Sequence, residues 1–201
     1  MRRFPLASLA LLLRGPAVAG DAMSLRRSLP TATILLALAV WADGCSRPVP
    51  ETRFLNFDPE SSSGALTSGW AGFEKAATGD TFVWAQAREV TVTVSVGSPA
   101  DRLIRFRVWP FVWPGAPPQT VTVWVNDVRL AAMTVWEGPR VYSAASPGLA
   151  WKSGGNVLRF EFAWAEAPKD RIPGGGDSRT LAAAFDWIEI LPTDAEASRQ
   201  P

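Results

Sequence analysis

An all-β fold, an antiparallel β-sandwich, is what three observations on the sequence predict. Apolar and polar residues alternate in several short runs, the pattern of strands buried on one face. Gly-, Pro-, Asn- and Asp-bearing turns separate these runs at short intervals. Beyond the N-terminal region no stretch carries a helical period over more than about two turns.

Residues 1–44 read as a targeting region. Arg2 and Arg3 precede an apolar run at 6–13, but a cleaner signal begins at Met23, the expected true start, with Arg26 and Arg27 ahead of the apolar run 34–41. That run is well short of the roughly 20 residues that span a bilayer, which points to a cleaved signal. Gly44-Cys45 at its end resembles a bacterial lipoprotein signal, in which the thiol receives lipid and becomes the first mature residue. An ordinary secretory signal with an incidental thiol is the alternative. Residues 45–52, with Pro48 and Pro50, suit an extended tether. The expectations are membrane attachment through Cys45 and a cell-envelope location on the periplasmic or extracellular side.

The sandwich is expected over residues 53–191. Residues 53–57 alternate as a first strand, ended by Asp58-Pro59 and a serine-rich turn. Residues 69–74 read as a loop and 79–85 as a second short strand. Residues 89–96 give the clearest strand, with Val90, Val92, Val94 and Val96 on one face. In 103–109, Ile104, Phe106 and Val108 point inward and Arg105 and Arg107 outward. After a Pro-rich connection at 110–118, residues 120–133 form a hairpin about Asn126-Asp127, residue types that tolerate positive φ. Its first strand sets Val121, Val123 and Val125 against Thr120, Thr122 and Trp124. A short run at 140–143 follows, and then Gly154-Gly155-Asn156 launches 157–164, with Leu158, Phe160, Phe162 and Trp164 on one face. The irregular stretch 165–176 is long enough to be functional or disordered. Residues 180–191 change phase, which predicts a bulge near Asp186 or burial of both faces. A short helix at 179–185 is the only one that composition allows, and 192–201 read as a polar tail.

Composition excludes more than it assigns. The formal net charge is +1 overall, but residues 1–44 hold five Arg against two Asp, so the remainder is near −2. No basic field is left for nucleic acid. Without His, the Ser-His-Asp and Cys-His routes to nucleophilic catalysis and imidazole zinc sites are closed. The lone Cys45 permits no intrachain disulfide.

The order of several short motifs is similar to that of jelly-roll modules attached to bacterial envelope glycosyltransferase-like and sulfatase-like proteins, which look like galactose-binding-type sandwiches. The motifs are Gly69-Trp70 with Glu74, Phe82-Val83-Trp84, the Val125-Asn126 hairpin, Gly155-Asn156 with Leu158 and Phe160, and Asp177, Arg179 and Leu181. The resemblance spans nearly all of 53–191. It implies architecture and an envelope-glycan setting rather than an activity.

Nine of the ten Trp lie beyond the signal region; an indole face suits stacking on the C–H side of a pyranose, but most are expected to be core filler. Trp164 and Trp187 follow core periodicities and are expected as filler. Trp124 lies opposite the valine face, where Arg105 and Arg107 of the preceding strand could flank it as a platform for an acidic or hydroxyl-rich glycan. Trp109 and Trp113, near the Pro-rich connection, are further stacking candidates; burial or cation–π packing is the alternative for all three. Several carboxylates, Asp80 and Asp186 among them, could supply a glycosidase pair, but no spacing marks one. Asp177 and Arg179 are expected to form an ion pair, and Glu74 to bond backbone near Gly69-Trp70. No catalytic residue, metal site or cofactor is assigned. A non-enzymatic envelope protein that binds or scaffolds glycan is the expected function, with a protein-interaction accessory subunit of a polysaccharide enzyme as the alternative.

Overall fold

The structure, a computed structural model, describes residues 50–193. The signal region, Cys45 and the tail beyond Thr193 lie outside the described residues. Eleven strands follow one another: β1 (Phe54–Asn56), β2 (Leu66–Ser68), β3 (Trp70–Lys75), β4 (Thr81–Ala85), β5 (Glu89–Val96), β6 (Arg102–Pro110), β7 (Gln119–Val125), β8 (Val128–Val135), β9 (Arg140–Ser146), β10 (Gly154–Phe162) and β11 (Ala183–Pro192). One sheet has the order β3-β4-β11-β6-β9, with β1 also on β11; the other has the order β2-β5-β10-β7-β8. All pairings between these strands are antiparallel, and the two sheets form the predicted sandwich.

The core follows from the alternation. Val90, Val92, Val94 and Val96 of β5 and Val121, Val123 and Val125 of β7 turn inward and are buried, as are Ile104, Phe106 and Val108 of β6. Phe160 of β10 meets Phe106 and Phe185 from the facing sheet at 5.2 and 5.0 Å between ring centroids. Edge-to-face packing of this kind adds to the area term that holds the sheets together.

Two aligned Asn side chains close one end. Asn126 sits at φ +51, the left-handed turn conformation expected of it. Its amide donates to Ala150 O at 2.7 Å and to Asn156 Oδ1 at 3.0 Å, and its own oxygen accepts from Val157 N. Asn156, buried, donates to Lys152 O and Gly154 O and accepts from Lys152 N.

Several sequence expectations are corrected. Residues 69–74 are largely strand rather than loop: β3 pairs with β4 through a register that shifts between Trp70 and Phe73, around Gly72. Gly69 is required there, because at φ +81 a Cβ would lie 2.6 Å from Glu89 O. Trp70 then packs on Phe57 and Phe185 and donates its indole N–H to Thr91 O. No helix forms at 179–185, where the chain enters β11. The described helix is a single turn, Pro168–Arg171, inside the supposed loop 165–176, which Glu166 and Leu181 also tie to the body by a β-bridge.

The bulge is where the sequence placed it, between Phe185 and Trp187. Its consequence reverses one expectation. Phe185 points inward, Asp186 and Trp187 both turn to the outer face, and Ile188 returns to the core, so Trp187 is not filler. It lies beside Phe54 and beneath the Arg105 guanidinium.

The outer face of β4, β11 and β6 as a candidate binding site

On β6 the residues opposite the core are Arg105, Arg107 and Trp109; on β4 they are Phe82 and Trp84. Between these strands runs β11, and Ala184 is in register with Trp84 on one side and Trp109 on the other. Ala184 is itself fully buried between these two strands. Phe82 closes on Trp109 at 5.4 Å, and the bulge delivers Asp186 to the next row, where it pairs with Arg107. The turn between β3 and β4 adds Thr78 and Asp80, and Pro139 forms the remaining rim.

The resulting cleft has a volume of about 250 Å³. That lies just below the roughly 300–1,000 Å³ of drug-sized ligand sites and suits one ring more than a long chain. Its chemistry combines apolar ring faces with hydroxyls and charged groups at the edge. Asp80 accepts from the Thr78 hydroxyl at 3.0 Å and forms no ion pair among the described residues. Among the described residues no group of three His, Cys, Asp or Glu is placed to hold a metal ion.

The sequence-predicted residues divide among four places. Trp109 and Arg107 line the cleft. Arg105 lies further along the same face, bound to Glu189 at 2.8 Å and stacked over Trp187. Trp113 lies among Phe111, Trp164 and the Arg171 guanidinium, which is cation–π packing rather than an open platform. Trp124 is on the opposite sheet, so Arg105 and Arg107 do not flank it. The reason is that the Pro-rich connection carries the chain from one sheet to the other, making β6 and β7 successive in sequence without being neighbours. Trp124 is half-buried, and Arg159 of β10 covers its ring at 4.2 Å while bonding Glu89. Trp164 is also only half-buried, past the end of β10, so it does not extend the core face of that strand. Phe82, Asp80 and Asp186 also line the cleft, and none of them is a sequence-predicted ligand contact. The period-2 pattern could have put Phe82 and Trp84 outward, but strand order is needed to bring them to Trp109.

Arg179 holds Asp177 in a two-toothed contact and also bonds Glu74 of β3, the cross-strand partner of Phe82. The expected pair therefore exists, and Glu74 bonds this guanidinium rather than backbone. Hydrogen bonds from the Arg179 side chain and then its backbone N–H hold the Asp177 carboxyl below the usual range, while both carboxylates raise Arg179. Because the folded Asp177 value is depressed, its contribution is present above the ordinary Asp range and disappears as pH falls through the folded value.

No family model and no curated protein matches the sequence. Solved structures do match in shape. One is the C-terminal CBM6 of LamC, a marine laminarinase from Zobellia galactanivorans, 14% identical over 69% of this chain and 98% of its own, with a TM-score of 0.42. Another is CsCBM6-3 from Clostridium stercorarium in complex with cellobiose, at 13% identity, 72% and 100% coverage and a TM-score of 0.43. A family 35 carbohydrate binding module from an environmental isolate is 16% identical, with 71% and 94% coverage and a TM-score of 0.41.

Proposed function

We propose that this is an exported, non-enzymatic β-sandwich, lipid-anchored through Cys45, that binds glycan of the cell envelope in the Trp109 cleft. The observation that carries the reading is the cleft lined by Trp109 and Phe82, with Arg107, Asp186 and Asp80 beside them. Ring faces supply stacking area and the adjoining charged and hydroxyl groups can bond sugar hydroxyls, the division of labour that small polar ligands need. The alternative role as a protein-interaction subunit rested on an apolar patch around Trp124. With Arg159 over the ring and Glu89 beyond it, that surface is charged and largely self-satisfied, so glycan binding is the better-supported reading.

A glycan array presenting neutral, amino and acidic oligosaccharides tests the function. The full chain is expected to bind at least one class, and Trp109→Ala to weaken that binding by about 1–3 kcal/mol, the scale of a lost aromatic contact. Retained binding in the variant would move the site elsewhere. The anchor has a separate test, mass spectrometry of the mature N-terminus: a diacylated or triacylated Cys45 is expected, and an unmodified thiol would remove the lipid.

A further inference from the structure

The ionised groups around the cleft narrow its ligand. Its one cation, Arg107, is already engaged by Asp186, and no other partner of that guanidinium is found among the described residues. Asp186 is 7% exposed and uses one carboxylate oxygen for this contact, leaving the other without a hydrogen bond among the described residues. Asp80, across the cleft on the β3–β4 turn, carries a second carboxylate that forms no ion pair among the described residues. Counting Arg107, Asp186 and Asp80, the lining carries a net charge of −1. An anionic sugar would have to break the Arg107–Asp186 pair and approach Asp80 as well. A cation meets the opposite situation, because an ammonium is attracted both by a carboxylate and by an electron-rich aromatic ring, and Trp109 and Phe82, packed edge-to-face at 5.4 Å between centroids, both line the cleft.

We propose, resting on the glycan-binding reading above, that the cleft selects an amino sugar with a free, protonated amine, and discriminates against both its N-acetylated form and uronic acids. The ring stacks on the aromatic wall and the ammonium lies toward Asp80, with the unused oxygen of Asp186 as a second acceptor. Acetylation removes the charge and adds bulk where Thr78 and Pro139 crowd the rim. This departs from the acidic-glycan expectation that two free arginines would have supported: both Arg105 and Arg107 are spoken for by carboxylates on β11.

Isothermal titration of the full chain with a β-1,4-linked glucosamine tetrasaccharide, its fully N-acetylated counterpart, a galacturonic acid tetrasaccharide and tetralysine decides the matter at pH 6 and low salt. The glucosamine oligomer is expected to bind about tenfold tighter than the N-acetylated one, with the uronate weakest. The preference should shrink as salt is added, since the site is open to solvent. Asp80→Asn, a change at an exposed turn residue, is expected to abolish the preference, bringing the glucosamine oligomer to within about twofold of the N-acetylated one. Equal binding of the two sugars, a preference that survives Asp80→Asn, or tighter uronate binding overturns the amino-sugar assignment and leaves glycan binding standing. Tetralysine binding as tightly as the glucosamine oligomer shows recognition of an ammonium alone and overturns the sugar as ligand. Absence of binding to every saccharide here and on the array overturns the glycan reading itself.

Discussion

Val123→Asp is expected to leave no folded domain. Val123 is fully buried at the middle of β7, in register with Phe160 on one side and Ala131 on the other. Phe160 in turn bridges to Phe106 and Phe185 of the facing sheet. A carboxylate at position 123 would sit in this apolar layer with no cation or donor to meet it, and an unpaired buried charge costs several kcal/mol. Against a total stability of roughly 5–15 kcal/mol that is enough to unfold many domains of this size. Circular dichroism and proton NMR dispersion report the loss directly. Thr122→Asp, one residue earlier and on the outer face, is the control and should fold. A dispersed spectrum for Val123→Asp would mean that the faces of β7 are assigned the wrong way round.

Asn156→Leu is expected to cost about 3 kcal/mol without abolishing the fold, because two things are lost together. Four hydrogen bonds centred on this side chain disappear, and the groups left behind, Lys152 N, Lys152 O and the Asn126 amide, lie in partly buried positions. A net loss near 1 kcal/mol per bond, with some solvent rescue of the partners, gives the stated size and a fall in Tm of about 10 °C. Asn156→Asp is the informative companion, since it keeps the acceptor for Lys152 N while losing both amide donations. Unchanged melting for both variants would show that the two asparagines close the turn without stabilising it.

These two residues also show what could be read from sequence alone. The faces of β5, β6 and β7 were legible because a period of two assigns every side chain to a face, and Val123 is buried as that rule requires. The bulge at Asp186 was legible as a break in the same period. The motifs Gly69-Trp70 with Glu74, Gly155-Asn156 and Asp177 with Arg179 stood out, and each proves to hold the fold: a close backbone approach, a polar clasp at a turn, an ion cluster.

The site was less legible because it depends on which strands are neighbours. Arg107 and Trp109 could be named from their outward positions, but periodicity says nothing about a partner strand. Trp124 was therefore paired with the arginines nearest in sequence, when its neighbour across the sheet is Arg159, 35 positions further on. Asp80 and Asp186 carry no signal that marks them as cleft residues, and only the register and bulge of β11 bring Asp186 to Arg107 beside Trp109. The bulge was foreseen without its effect, the turning of Asp186 and Trp187 to the same outer face.

The most direct test of the account is a two-dimensional NMR titration of the indole N–H signals with whichever oligosaccharide binds most tightly. Trp109 Nε1 forms no hydrogen bond among the described residues and is not a buried orphan, whereas the Nε1 atoms of Trp124 and Trp151 are buried. The account predicts that the Trp109 signal, assigned by its loss in Trp109→Phe, shifts with saturation while those of Trp124 and Trp151 stay in place. Movement of Trp124 with a stationary Trp109 would contradict it and place the ligand on the opposite sheet.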